Sequence, residues 1–204
     1  MRLLMTGFMP FPGVDVNPTQ LLVRYFQDET VSLPDGVEVI AEVLPTAFEA
    51  SEERIRQLIR DEAPDAVLCL GVAQKRDAIN IERVAYNWDE ATIPDNEGLQ
   101  LSGQKIVADG AETYSSTLPV ERMIAALQSA NLPAVFSDDA GRYVCNHVFY
   151  ASRHEIATRG LQIPYGFVHV PGLAGTSEEV PGWEIERLLD AVQACVKAIA
   201  EVFE

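Results

Sequence analysis

The chain of 204 residues carries 31 acidic and 15 basic side chains, a formal charge of −16. That balance argues against a nucleic-acid surface, because affinity for phosphates rests on clustered Lys and Arg, and no apolar run approaches the roughly 18 residues of a membrane span. With 48% hydrophobic and 23% charged residues the composition is that of an ordinary globular protein, at a length of about one domain. Pro10 and Pro12 interrupt the opening before a signal-peptide core forms. Three cysteines are too few for a disulfide framework, so free thiols in a reducing compartment are expected. The expectation is one domain over residues 1–204, cytoplasmic.

Leu3–Met5 is a short apolar run that stops at Thr6-Gly7 and predicts a first strand. Val37, Val39, Ala41 and Val43 alternate with the two-residue period of a second. Ser51 is a candidate N-cap for a helix whose Ile55, Leu58 and Ile59 recur at helical spacing. Ala66–Leu70 is continuously apolar and followed by Gly71, as in a strand buried on both faces. Val120, Met123, Ile124 and Leu127 repeat the helical spacing, with Pro119 suited to the first turn. Ala134–Phe136 and Phe167–Val170 resemble the buried strand. Beyond Pro181-Gly182, Ile185, Leu188, Leu189, Val192, Val196 and Ile199 form one helical stripe. Strands alternating with helices predict an α/β fold, a mainly parallel sheet covered on both faces. Ligands in such sheets collect at the strand C-terminal ends, here the loops after Met5, Val43, Leu70, Phe136 and Val170.

Histidine filters the chemistry, because only three occur: His147, His154 and His169. Cys69, inside the apolar run, and Cys195, on the last helical stripe, read as small buried hydrophobes. Cys145 precedes a helix in DDAGRYVCNHVFYASRHE. There the positive helix end favours thiolate and free backbone N–H groups face a developing oxyanion; nucleophile and structural cysteine both remain open. His147 sits roughly 200° around the helix from Cys145, and His154 roughly 180° away and two turns on. Both read as helix-surface or structural histidines. His169 instead ends a predicted strand at the edge where sites form, as a candidate base or a hydrogen-bonded core histidine. Glu82 in INIERVAYN is the best carboxylate to orient it, with an ion pair to Arg83 as the plain alternative. No phosphate-loop spacing and no metal-ligand spacing is present. The cluster Asp89, Glu90, Asp95 and Glu97 lacks the calcium-loop order and reads as a solvated loop.

Four stretches then become recognisable in order. TGFMPFPG with Asn17-Pro18 resembles the TGFxPFxGxxxNP opening of the pyroglutamyl peptidase I (pyrrolidone-carboxylate peptidase) family. GVAQKRDAINIERVAYNWDEATIPDNEG resembles that family's glutamate signature, AGRYVCNHVFY its cysteine signature and GFVHVP its histidine signature. The resemblance implies a cysteine peptidase that removes N-terminal pyroglutamate, built as an α/β/α globule with a twisted mixed sheet. It implies Cys145 as nucleophile, His169 as base and acid, and Glu82 as the group orienting His169. It also implies a homo-oligomer, dimer or tetramer, that needs no metal or other cofactor. Phe8 and Phe11 match the family's pocket aromatics, able to sandwich the flat lactam, and Thr46, Ile93, Tyr143 and Val144 fall at its pocket positions. Val72, Lys75, Thr92 and Arg142 depart from common family residues, as do Met9 and Pro12. Val72 stands where many members have glutamine, which admits an amidase for another small lactam or acyl amide. A non-catalytic binder of pyroglutamyl peptides is the other rival.

Overall fold

A computed structural model describes residues 1–176 and 181–203. In chain order its elements are β1 (Arg2–Phe8), α1 (Pro18–Gln27), β2 (Glu38–Leu44), α2 (Phe48–Glu62), β3 (Ala66–Val72), β4 (Ile79–Glu82) and β5 (Val84–Tyr86). Then follow β6 (Asp89–Glu90), β7 (Ser102–Gln104), β8 (Thr113–Ser115), α3 (Val120–Ser129), β9 (Ala134–Ser137), α4 (Val144–Thr158), β10 (Tyr165–Val170) and α5 (Ile185–Ala200). Six strands form one sheet in the order β2-β1-β3-β10-β4-β9. Every pairing in it is parallel except β10 with β4. Two small ribbons, β5 with β8 and β6 with β7, lie outside it.

The strand period of two divides the core into two apolar clusters, one on each sheet face. Leu3, Met5, Leu68 and Val168 point to the face covered by Leu22 of α1, Met123 of α3 and Val192 of α5. Leu4, Val67, Cys69 and Phe167 point to the face covered by Ile55 of α2 and Val148 of α4. This is the three-layer α/β/α arrangement, with a mostly parallel mixed sheet.

Four details differ from the sequence expectations. β1 does not stop at Thr6-Gly7 but runs on to Phe8. A Cβ on Gly7 would lie 2.5 Å from the Thr19 carbonyl oxygen, so glycine is what lets α1 cross the strand end. Ser51 is no N-cap: α2 begins at Phe48 after Ala47. Its first amide, Phe48 N–H, donates instead to the Asp95 carboxylate at 2.8 Å, a cap supplied from a distant segment. Pro119 occupies the N-cap position of α3, one residue before the first turn. β9 is not buried on both faces; it is an edge strand whose Val135 and Phe136 are 48% and 40% exposed. α1, opened by Asn17 accepting from Thr19 N–H and by Pro18 at the first helical position, is an element the periodicity reading passed over.

Candidate active site

The one antiparallel pairing of the six-stranded sheet builds the first half of the site. Phe167 stands opposite Glu82 and His169 opposite Asn80, so Glu82 and His169 are diagonal neighbours on one face. His169 Nδ1 lies 2.8 Å from Glu82 Oε1. A carboxylate there fixes the Nδ1–H tautomer and leaves the lone pair on Nε2. Both groups are buried, Glu82 completely. Burial by itself would raise the Glu82 pKa, but the hydrogen bond and charge of His169, with Ser137 and Arg76, hold it below the usual value. The cation that pairs with Glu82 is Arg76, not Arg83. Arg76 Nη1 donates to the same Oε1 at 2.8 Å, and Nη2 to the Asp139 carbonyl at 2.9 Å. Arg83 turns to the other side and binds Asp138, Nε to Oδ1 at 2.7 Å. Sequence reasoning missed both Arg76 and Gly71. A Cβ on Gly71 would lie 2.9 Å from Nε2 of His169 and 2.7 Å from Cε1 of Phe167. The imidazole therefore lies against bare backbone of β3.

Cys145 supplies the second half. It is the second residue of α4, behind the N-cap Tyr143, and no side chain caps the helix. The first amide to bond within the helix is His147 N–H, to the Tyr143 carbonyl at 3.1 Å. The N–H groups of Val144, Cys145 and Asn146 are thus the unpaired donors of a helix start. The Asn146 side chain ties this turn to β5, accepting from Tyr86 N–H at 2.9 Å and donating to the Tyr86 carbonyl at 2.9 Å. The sequence expectation of a ready thiolate meets a larger opposing effect. Burial, with the charge of Glu82 and the neighbouring Cys69, pushes the Cys145 thiol up to about 12 against the pull of Arg76. Cys69 is buried and bonded to Thr6 Oγ1 and Tyr165 OH, each at 3.0 Å; Cys195 is buried on α5.

Cys145 and His169 line one cavity of about 150 Å³. Phe8, Phe11, Thr46, Tyr143 and Val144 line it with them, as do Asn17, Val72 and Ala140. Ile93 does not; it is half-buried in the loop whose Pro94 carbonyl accepts from Tyr143 OH at 3.1 Å. The Met9 carbonyl receives Thr46 Oγ1–H at 2.6 Å and Asn17 Nδ2–H at 3.1 Å, which fixes the loop carrying Phe11. Phe11 and Tyr143 then face each other with ring centres 5.9 Å apart. The loops after β1, β2, β3, β9 and β10 all border this end of the sheet. A wider, open depression of about 700 Å³ lies between α2 and α4 and is lined by no cysteine. The acidic cluster is not a solvated loop throughout. Asp89 and Asp95 are 1% and 4% exposed, Asp95 accepting from the amides of Phe48, Glu97 and Leu99.

The family model described as pyroglutamyl peptidase matches residues 1–202. The pyrrolidone-carboxylate peptidase of Thermosipho melanesiensis is 38% identical over 202 residues, covering 98% of either chain. That of Streptomyces coelicolor is 44% identical over 180 residues, 88% of this chain and 81% of its own. A mutant pyrrolidone carboxyl peptidase from the hyperthermophile Pyrococcus furiosus superposes with TM-score 0.92 at 34% identity, each chain covered completely. Pyroglutamyl peptidase I of Bacillus amyloliquefaciens gives 0.90 at 32% identity, over 98% of this chain and 97% of its own.

Proposed function

The chain belongs to the pyroglutamyl peptidase family, cysteine peptidases that remove N-terminal pyroglutamate, and on that premise we propose that Cys145, His169 and Glu82 carry the reaction, at the cavity that Cys145 and His169 line and with Glu82 behind His169. One observation supports this most: a cysteine at an uncapped helix start shares a cavity with a histidine whose Nδ1 is held by a buried carboxylate. The volume, about 150 Å³, suits a small ring and is well below the roughly 300–1,000 Å³ of a drug-sized pocket. Phe8, Phe11 and Tyr143 offer the lactam apolar walls.

His169 Nε2 takes the Cys145 proton, and Sγ attacks the pyroglutamyl carbonyl carbon. The oxyanion that forms is met by the free N–H groups at the start of α4. The C–N bond to the peptide breaks, and the departing amine receives the proton from Nε2. Water then attacks the thioester with His169 again as base. The C–S bond breaks, pyroglutamate leaves, and the thiol is restored. Glu82 holds the imidazole in the required tautomer and stabilises its charged form in both steps. No step calls on a metal or other cofactor.

Residues 1–204 act as one catalytic domain in this reading, in the cytoplasm and as a homo-oligomer, with a peptide partner and neither nucleic acid nor membrane. Three free cysteines support the reducing compartment, and apolar Val135 and Phe136 exposed on the edge strand β9 support association. Among the described residues no helix is long and apolar enough to cross a membrane.

The test is release of aminomethylcoumarin from its pyroglutamyl derivative beside prolyl, acetyl and larger-lactam derivatives. Selective release from the pyroglutamyl compound is expected; faster turnover of another acyl amide would transfer the site to the amidase reading that Val72 admits. A second expectation concerns Gly71. In Gly71→Ala the methyl must displace His169 or Phe167, and misplacing a catalytic group by about 1 Å costs on the order of 100-fold. Steady-state kinetics should show that loss in kcat with KM within a few fold. A kcat near wild type would refute the role given to this close contact.

A further inference from the structure

An acid–histidine–acid array lies beside the proposed catalytic groups, and the reaction does not use it. His147, two residues beyond Cys145 on α4, is 6% exposed. Its Nδ1 lies 2.7 Å from Asp89 Oδ2 on β6, and its Nε2 lies 2.7 Å from Glu52 Oε2 on α2. Three separate elements therefore meet at one imidazole. The sequence reading placed this residue as a helix-surface or structural histidine; it is buried and doubly engaged. A ring file runs from it to the cavity: His147 packs on Phe48 at 5.3 Å, Phe48 on Tyr143 at 5.4 Å, and Tyr143 on Phe11 at 5.9 Å.

We infer that His147 is a positioning residue, an imidazolium clamp that joins α2 and β6 to the first turn of α4 and so sets Cys145 and the Tyr143 wall of the cavity. The inference rests on the peptidase reading of that cavity. Its chemistry follows from donor counting. Both ring nitrogens face acids that only accept when ionised, so with Asp89 and Glu52 both ionised the two contacts are satisfied only when both nitrogens carry protons. A neutral ring has one lone pair, which must turn against Asp89 or Glu52. One of the two elements is then released.

The charged groups around the ring favour the imidazolium, although burial and the charge of Glu52 raise the Asp89 pKa. Asp89 faces it from β6 and Glu52 from α2, where Arg56 in turn pairs with Glu52 at 2.7 Å; His154, further along α4, also acts on Glu52. Burial opposes the imidazolium, but Asp89 and Glu52 overcome it and raise the His147 pKa from its ordinary 6.5 to about 9. A raised value means that the clamp is complete below about 6.5 and is lost as pH rises through about 9. Positioning should therefore fail on the alkaline side.

The experiment follows two readouts against pH in wild type, Glu52→Gln and Asp89→Asn. One is kcat/KM for the pyroglutamyl aminocoumarin; the other is the backbone amide chemical shift of Cys145 by nuclear magnetic resonance, which needs neither substrate nor thiolate. Each amide keeps an acceptor oxygen for His147 but removes one charge, so the alkaline transition should move to lower pH by on the order of one unit. Transitions that move in both readouts support the clamp; transitions that coincide with wild type in folded variants overturn it. If pyroglutamyl hydrolysis is absent in wild type while the amide-shift transition still moves, the peptidase reading fails and the clamp stands. His147→Gln, which can donate to only one side without a charge, should lose the amide-shift transition altogether, and a persisting transition in it would equally count against the clamp.

Discussion

Replacing Cys145 by alanine is expected to abolish hydrolysis, lowering kcat by about 10⁴-fold or more, because the proposed reaction runs through a covalent bond to this thiol. Such a factor corresponds to roughly 5.4 kcal/mol of transition-state stabilisation. What remains, the N–H groups at the start of α4 and the apolar walls, binds and polarises the substrate but offers no nucleophile. The substitution removes one half-buried sulfur, so the melting temperature should barely move and the loss is attributable to chemistry. Cys195 provides the control. It is buried on α5, on the opposite sheet face, and its thiol is pushed up to about 12 by burial alone. Cys195→Ala should keep wild-type turnover and the same iodoacetamide inactivation, with one thiol alkylated in native protein. Mass spectrometry locates the label. Inactivation by labelling at Cys69, or turnover by Cys145→Ala within tenfold of wild type, would refute the assignment.

Much of this site was legible because strand and helix patterns place residues by simple periods. Continuous apolar runs located β3 and β10, and with them the sheet edge at which His169 sits. Helical spacing removed His147 and His154 as partners for Cys145. The alternative of an ion pair between Glu82 and Arg83 neglects the same rule, since consecutive strand residues point to opposite faces. Arg76 reaches Glu82 from the turn after β3, six residues away along the chain. Other misses depended on contacts between distant segments. Asp95 caps α2 from nearly fifty residues on, a service that no local pattern reveals and that Ser51 seemed placed to perform. Asp89 looked solvated because its partner, His147, lies 58 residues later. The exposure of Val135 and Phe136 follows from strand order, which hydropathy does not contain. The state of the Cys145 thiol is a balance of the same kind. Sequence shows the helix start that lowers a thiol pKa, but the burial and the Glu82 charge that raise it exist only in the folded chain.

That carboxylate is the subject of the second large expected effect. Two donors, His169 Nδ1 and Arg76 Nη1, converge on one oxygen of Glu82, each at 2.8 Å. Glu82→Ala removes the acceptor for both, freeing the imidazole to rotate or take the other tautomer, and should reduce kcat by about 10³–10⁴-fold, the scale on which losing the correct tautomer acts in Ser-His-Asp enzymes. Glu82→Gln separates orientation from charge. Its carbonyl oxygen can still accept from both donors, so the tautomer is held, but the negative charge that steadies the imidazolium during proton transfer is gone. Its loss should be smaller than that of alanine, about 10²–10³-fold. In both variants KM should stay within a few fold, because Glu82 lies behind His169 and does not line the cavity. The opposite ranking, with glutamine the worse, would mean that charge without geometry is what His169 needs. Retention of kcat within tenfold by Glu82→Ala would remove Glu82 from the reaction. The thiol side offers an independent check, since Glu82 is among the charges raising the Cys145 pKa. Removing that charge should lower it, so direct titration of Cys145 by its thiolate absorbance should show an earlier onset in Glu82→Gln than in wild type. Slower turnover from a thiol that ionises more readily would place the defect in proton transfer through His169 rather than in the nucleophile.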